Sequence, residues 1–490
     1  MPAIESGYAR AYHSVRRELG DSDLVYFGTR GTDALPLFNF AGRLAGVFSQ
    51  IAPINGLQEG AEASEGALYR EICLENIARS THYRVRADLD TYDIDTDPDR
   101  CVVEYRDGIH DWLESRLGRS GVTVLPYRTN AIMEYINFSF AGHANFRFLG
   151  NFSGLQKMME FKPWVEQSLK SRLAGIGAPI LPWHYYPVSL GQAALIQDMK
   201  RIVGRSSGKY VVRRNYSDGG VGLHLLENPG QIQAEWFSQP DVFFSVCEYF
   251  EDAIPINVNA VAFADGAVRM HPASFQIIGN SACTGRRFGF CGNDFAAVRD
   301  LSDEVLQKIE TMTRATGKFL ASHGYRGAFG IDALIVAPKR YEKQPKVYFT
   351  ELNARFQGSS VHATRIMQSL GLPDLYLDHM AAFLEIGANC YDESSSGPTL
   401  AHIVRNQPDL AHVVVHNQSK SAVRLKRSER SKDYDGRVDL LPDPGVRVSP
   451  GGALADLVFS RRVTPNGYAL DSSARELAEI VSHLFSEASA

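Results

Sequence analysis

The segment Tyr348–Phe356 reads Tyr-Phe-Thr-Glu-Leu-Asn-Ala-Arg-Phe, and its spacing suits metal and phosphate chemistry. In a strand, successive side chains point to opposite faces. Glu351, Asn353 and Arg355 then share one face, and Thr350, Leu352 and Ala354 the other. Two oxygen donors and a cation in a row make a poor core face and a good face for a metal and a phosphate. An apolar run, Ala328–Val336, precedes it and holds one acid, Asp332. The connector Ala337–Pro345 reads as a loop, and folding the hairpin about Tyr341 brings Asp332 beside Glu351. Carboxylates facing each other across strands repel. A divalent cation would remove that penalty, and Mg²⁺ prefers such oxygen ligands. The bland alternative is a solvent-facing hairpin with surface acids. It fits poorly, because acids are rarely buried without partners. The hairpin implies a metal and does not by itself identify a nucleotide enzyme.

The chain that must position this hairpin has 490 residues, too many for one core, and implies two to four domains. Its net charge of −5 argues against a general nucleic-acid binder. Cys73, Cys101, Cys247, Cys283, Cys291 and Cys390 lie far apart, with no CxxC pair. That pattern disfavours a zinc site or disulfide framework and suits a reducing compartment. No apolar signal core opens the chain and no apolar run is long enough to span a bilayer, so a cytoplasmic protein without membrane partners is expected.

Leu24–Phe27 and Gly121–Leu125 read as strands, with a helix over His110–Leu117 between them. Such alternation predicts a small α/β domain over 1–150. Lys157–Leu173 has helical spacing, stopped by the Gly- and Pro-containing stretch 175–182. The strand Lys209–Arg214 leads into the loop Ser217-Asp-Gly-Gly-Val-Gly222. Glycines there let backbone N–H groups approach a phosphate. The same Asp-Gly-Gly is also an ordinary hairpin turn, and Arg213 just before it tips the balance by supplying a cation. Val242–Cys247 is a buried-strand run followed by Glu248-Tyr-Phe-Glu251, and Ile256–Phe263 is a further strand. Gly279–Asn293 is loop-like and carries Arg286 and Arg287. A helix over Asp303–His323 feeds the hairpin, and His362–Leu384 is helical with a break near Gly371-Leu-Pro373. A polar linker at Tyr391–Pro398 precedes short strands, the turn Leu441–Gly445 and a final helix at Ser473–Leu484.

Taken in order, a lysine before a helix, a strand cation, a glycine-rich loop, an apolar strand ending in an acid, and Asp332 followed by Glu351-x-Asn-x-Arg resemble the ATP-grasp superfamily. The resemblance covers roughly Asn151 to Leu384. It implies an α/β fold: an N-terminal α/β domain (1–150), a two-lobed nucleotide- and Mg-binding core (151–390) and a small β-rich C-terminal domain (391–490). It implies ATP and Mg²⁺, with Mn²⁺ as a substitute, and small-molecule carboxylate and amine substrates; a homodimer stays open. By position, Lys162, with Lys157 as competitor, and Arg213 would meet the phosphates. Ser217, Gly219, Gly220 and Gly222 would form the loop over them. Glu248, Tyr249 and Phe250 would hold the adenine, and Asn257 stands as a guess for the ribose. Asp332, Glu351 and Asn353 match the metal ligands, Arg355 the phosphate or acyl-phosphate cation. Arg286 and Arg287 would close over the γ-phosphate or hold a substrate carboxylate. Arg326 and His362 are weaker candidates for the acceptor pocket. Arg213 departs from the usual lysine, which puts its phosphate contact in question. The implied activity is a carboxylate–amine ligase of the amino-acid or peptide branch. A biotin-carboxylase-like enzyme and a non-catalytic nucleotide-binding protein share the same core.

Overall fold

The computed structural model describes residues 6–28, 31–40, 43–49, 106–129, 131–202, 208–215, 219–220, 222–238, 243–337, 345–388, 397–426, 436–440, 448 and 450–487. Ser217, the connector 338–344, most of the expected linker and the turn 441–445 lie outside these residues.

Short apolar strands form the first layer. β1 (Asp23–Gly28), β2 (Leu44–Ser49), β3 (Val122–Pro126) and β4 (Phe146–Phe148) make a parallel sheet in the order β2-β1-β3-β4. Its central strands are buried along their length, as expected when helices cover both faces. A smaller antiparallel sheet follows, built from β5 (His184–Pro187), β6 (Tyr210–Arg214), β7 (Leu223–Leu226) and β8 (Phe243–Glu248) in the order β5-β8-β6-β7. The expected helix over 157–173 is two helices, Ser153–Glu160 and Lys162–Gly175. Phe161 between them is extended, and Pro163 sits in the first turn of the second, where its missing N–H costs nothing.

The largest sheet has eight strands: β9 (Ile254–Ala262), β10 (Val268–Ile278), β11 (Phe290–Asp294), β12 (Gly327–Val336), β13 (Lys346–Asn353), β14 (Ala411–His416), β16 (Arg437–Leu440) and β17 (Ala453–Phe459). Their order is β13-β12-β9-β10-β11-β14-β17-β16. The segment after residue 390 therefore extends the sheet of the core; it also supplies a pair of β15 (Val423–Leu425) and β18 (Phe485–Glu487) and the helix Ser472–Ser482. β10 was not expected, because Pro272 interrupts its apolar pattern. The register shift between Met270 and Ala273 absorbs that proline, where a missing ladder donor is tolerated.

The helix Asp303–Ser322 starts at Ser302, whose Oγ accepts the Val305 N–H, and carries Asp303 and Glu304 in its first turn. Its buried stripe, including Leu306, Ile309 and Met312, packs with Ile256 and Val258 of β9 in the main core. On the opposite face, Val261 of β9 and Ala328 of β12 pack with Tyr376, Leu377 and Met380 in a second core, while Asn257 of β9 and Asp332 of β12 line the site. Among the described residues no helix is long and apolar enough to cross a membrane.

Candidate active site

A bulge sets the chemistry of the hairpin. Asp332 pairs with Glu351 and Ala333 with Phe349, so Thr350 is an extra residue on β13. Side chains alternate with period two, so an inserted residue reverses the phase. Val347 and Phe349 face the core before it, and Leu352 and Ala354 face the same core after it. Glu351, Asn353 and Arg355 are thereby all turned to a cavity of about 510 Å³, together with Asp332 of β12.

Asp332 is braced from three sides. Its Oδ1 accepts from Asn257 Nδ2 at 2.6 Å and Gln276 Nε2 at 3.2 Å, and its Oδ2 from Asn353 Nδ2 at 3.2 Å. Asn257, the guess for the ribose, lines the cavity. It is buried on β9 opposite Asp332 and also donates to Gln357 Oε1 at 3.0 Å. Neutral amides hold the acid in place but do not cancel its charge. Burial first, and the Glu351 carboxylate second, push the Asp332 carboxyl up to about 7. Two carboxylates and an amide oxygen, with one acid raised in this way, suit a hard divalent cation. Asn353 fits the set, since its nitrogen is turned to Asp332 and its oxygen is the atom suited to the metal.

The two expected phosphate cations already have acidic partners. Lys162 Nζ lies 3.0 Å from Glu351 Oε1 and is buried, whereas the competing Lys157 is exposed. Lys162 thus stands at the acid pair and is not one of the cavity-lining residues. Arg213 lines the cavity, but its guanidinium meets Glu166 at 2.6 Å, donates to the Thr350 carbonyl at 3.1 Å and lies 4.0 Å from the Trp183 ring centroid. Glu166 is buried and its carboxyl is raised by that burial, against the lowering pull of Arg213. Arg213 is therefore half of a buried ion pair joining the two lobes, a role invisible when it is read as a bare strand cation.

Two loops separate in sequence meet over the cavity. Gly219 and Gly220 line it, at φ of +53° and +82°. A Cβ on Gly220 would stand 1.8 Å from the Phe288 carbonyl oxygen, so only glycine permits this approach. Phe290 N–H points to the Gly219 carbonyl at 3.4 Å. Arg287 and Phe288 line the cavity; Arg286 does not, and its guanidinium reaches the Gly451 carbonyl at 3.5 Å. Gly222 also sits at positive φ, beside Arg214, and outside the lining.

Glu248, Tyr249 and Phe250 line the cavity where β8 hands over to β9. Phe250 stacks on Tyr348 at 5.8 Å between centroids. The Tyr249 N–H is engaged with the Lys209 carbonyl at 3.0 Å. Arg326 and His362 do not line the cavity. Arg326 pairs with Glu385 at 3.7 Å and His362 with Asp456 at 3.2 Å. The lining adds residues not singled out in the sequence: Arg128 from the first domain, and His416 and Tyr468 from the C-terminal segment. Asn257 and Asn259, two residues apart in an otherwise apolar run, were the one readable sign of a polar strand face.

No family model and no curated protein matches the sequence. Solved structures match along nearly the whole chain. The biotin carboxylase domain of 2-oxoglutarate carboxylase from Hydrogenobacter thermophilus, in complex with MgADP, ADP and bicarbonate, gives a TM-score of 0.52 at 13% identity, over 90% of this chain and 87% of that one. N5-carboxyaminoimidazole synthase from Aspergillus clavatus, with ADP and 5-aminoimidazole ribonucleotide, gives 0.52 at 12% identity, over 94% and 99%. Phosphoribosylamine–glycine ligase from Thermotoga maritima gives 0.50 at 12% identity, over 95% and 97%. The chain has the ATP-grasp fold. The α/β architecture expected from sequence is present, and the hairpin acids lie on the large sheet, in a cavity also lined by the smaller sheet.

Proposed function

We propose that this ATP-grasp protein is an ATP-dependent ligase that joins a carboxylate, of an amino acid or peptide, to an amine. The γ-phosphoryl group passes to the carboxylate, giving an acyl phosphate and ADP; the amine attacks the acyl carbon and phosphate leaves. The observation that carries this reading is the pairing of Asp332 with Glu351 in one cavity with the glycine loop and the β8–β9 turn. Solved structures similar in fold, two of them with ADP or MgADP and one named as a ligase, support the nucleotide and the metal.

A carboxylate is a weak nucleophile and the phosphates are strongly negative, so the site must supply positive charge rather than a strong base. Asp332, Glu351 and Asn353 would hold Mg²⁺, which when bound neutralises phosphate charge. Arg355 stands in the same file and would meet the transferred group. Arg287 and the Gly219–Gly220 backbone would cover the phosphates and exclude water. The turn 248–250 would hold the base.

The test is ADP release with amino acids and peptides, run beside bicarbonate plus free biotin, with mass analysis of products. An amide product supports the ligase; carboxybiotin establishes the carboxylase alternative. Hydroxylamine in place of the amine should give a hydroxamate. AMP and pyrophosphate in place of ADP and phosphate would mean adenylation and would overturn the reading.

A further inference from the structure

We propose that Ile278, Phe290, Val414 and Ala453, on β10, β11, β14 and β17, form an apolar wall that selects a carboxylate substrate with a large aliphatic or aromatic side chain. The inference rests on the ligase reading above and names the class of its first substrate.

Three observations support it. The first is how these side chains reach the cavity. Gln276 pairs with Asn293 and Ile278 with Phe290, so β11 has one residue more than β10 over the same stretch. Gly292 absorbs it at φ of +121°, where a Cβ would meet the His412 carbonyl oxygen. Val415 pairs with Ala455 but His416 with Ala453, so Leu454 is extra on β17. An inserted residue reverses the phase of a strand. Cys291, Val415, Leu454 and Ala455 stay in the C-terminal core, while Phe290, Val414 and Ala453 line the cavity with Ile278. Two separate bulges thus turn apolar side chains from a core to a cavity, where a ligand can cover them.

The second is the chemistry of the wall. Among the described residues, these four strands bring no Lys, Arg, Asp or Glu side chain to the cavity. Their polar lining residues are Gln276, Asn293 and His416. Gln276 donates to Asp332 at 3.2 Å; Asn293 donates to Ser274 Oγ at 2.8 Å and faces His412 Nε2 at 3.0 Å. A charged side chain laid on this wall would lose water without gaining an opposite charge. An apolar one is favoured in proportion to the area it hides from water.

The third is position. In the order β13-β12-β9-β10-β11-β14-β17, Glu351 and Asp332 stand on the first two strands and the wall begins on the fourth. Gln276, two residues before Ile278, reaches Asp332, so the wall adjoins the acids. From β10 to β17 it is about 14 Å wide at the usual strand spacing, room for one large side chain laid flat. A carboxylate presented at the acids therefore has this wall beside it. The competing reading gives Arg287 and His416 an acidic side chain to hold. Arg287 belongs to the segment whose Phe288 carbonyl abuts Gly220, which places it with the glycine loop.

The full-length protein, saturated with Mg²⁺ and the non-hydrolysable analogue AMPPNP, is titrated with glycine, L-alanine, L-valine, L-leucine, L-phenylalanine, L-glutamate and L-lysine, and with glycylglycine and glycyl-L-leucine, following melting temperature and affinity. Affinity should rise about 4-fold per added carbon along the aliphatic series, with glutamate and lysine below leucine. Val414→Thr keeps the shape of the wall and adds a hydroxyl; it should lose about 10-fold for leucine and phenylalanine and leave glycine and the nucleotide-induced melting shift unchanged. Phe290→Ala should lose more for the same two ligands; should it fail to fold, Val414→Thr carries the test alone. A flat series, a preference for glutamate or lysine over leucine, no binding of any acid, or parental leucine affinity in the variants would overturn the wall. A protein that binds no Mg·AMPPNP brings down the ligase reading, whereas one that binds nucleotide and ignores the side chain brings down only this inference.

Discussion

Asp332 and Asp456 are strand acids in the two halves of one sheet, and their surroundings drive them in opposite directions. Asp332 faces another carboxylate and three amides, and its carboxyl rises to about 7. Asp456 of β17 faces two imidazoles: its Oδ1 lies 3.1 Å from His412 Nδ1 and its Oδ2 3.2 Å from His362 Nε2. Burial also works to raise Asp456, but the attraction of His412 and the hydrogen bonds from both rings outweigh it, and its carboxyl is held well below the usual range. His362 is pushed down to about 3 by burial and by His412, so it is neutral near pH 7. Asp456, His362 and His412 have metal-ligand chemistry and spacing. Yet Asp456 already has its donors within the fold, whereas Asp332 has been given position without charge compensation. An acid fixed by neutral donors, opposite another acid, points to a partner from outside the chain.

The largest effect should separate the two acids. Asp332→Asn should lower ADP formation by more than about 100-fold, since even outer partners of metal ligands account for 10- to 100-fold in affinity or activity. The variant should melt no lower than the parent without metal, because it removes a repelling charge. Asp456→Asn should do the reverse: it leaves the cavity residues in place but disturbs the acceptor shared by two buried imidazoles, a change worth about 1–3 kcal/mol. Turnover and thermal melting on both variants check this. Equal loss of activity with no loss of stability in both would erase the distinction.

The same contrast predicts opposite pH behaviour. Asp332 has a raised carboxyl, so its contribution to stability is present below the unfolded value of about 3.9 and is lost as pH rises towards 7. Asp456 has a depressed one, so its contribution is present above about 3.9 and is lost on acidification. Without metal, the melting advantage of Asp332→Asn over the parent should therefore grow from pH 4 to 7, and Mg²⁺ should cancel it by stabilising the parent alone. Mg²⁺ affinity should fall on acidification through about 7, because the ion must displace the Asp332 proton. A flat profile would mean that Glu351 and Lys162 set the charge of the site without Asp332.

The legible part of this site was the part written in charge and alternation. A lone acid in an apolar strand and Glu-x-Asn-x-Arg showed Asp332, Glu351, Asn353 and Arg355 directly. The bulge at Thr350 was not legible, since one extra residue carries no compositional mark, yet it turns the file toward the cavity. Arg213 was read as a phosphate cation because Glu166, 47 residues earlier, gives no local sign of pairing. Arg128, just after β3, and His416, at the end of β14, reach the cavity from other regions of the chain, which only tertiary folding brings together. β10 was hidden by Pro272, and the bulge that tolerates it is again a tertiary feature.

Arg213 offers a sharper version of the comparison between self-paired and unpaired charge. Its pairing with Glu166 makes Arg213→Ala a stability variant, since removing one partner strands a buried carboxylate at a cost of about 3–5 kcal/mol. Arg213→Ala with Glu166→Gln should recover much of the melting temperature while ATP use stays impaired, because Arg213 also lines the cavity. Full recovery of ATP use in the pair would remove Arg213 from the nucleotide site.

Asn257 should have an intermediate effect. Asn257→Ala removes the 2.6 Å donor to Asp332 Oδ1 and leaves Gln276 and Asn353 in place. The acid keeps its charge but loses orientation, and Mg²⁺ affinity should drop by about 10- to 100-fold. Measured at saturating Mg²⁺, turnover should recover most of the way, unlike in Asp332→Asn. Failure to recover would make Asn257 more than a brace.

The smallest effect, and the finest test of how the lobes close, lies in the glycine loop. Gly219 and Gly220 both sit at positive φ, so alanine at either costs about 1–2 kcal/mol of backbone strain. They differ in what surrounds them. Nothing lies within 4 Å of a Cβ built on Gly219, whereas one on Gly220 would stand 1.8 Å from the Phe288 carbonyl oxygen. Neither loop can yield without separating the glycine loop from the segment carrying Arg287. Gly219→Ala should therefore lower melting slightly and leave the KM for ATP within about 3-fold, within the roughly 1 kcal/mol that modest strain allows. Gly220→Ala should raise that KM further at similar melting temperature, because it props the loops apart over the phosphates. If the two variants behave alike, strain alone governs the loop and its contact with Phe288 does not contribute to closing the cavity.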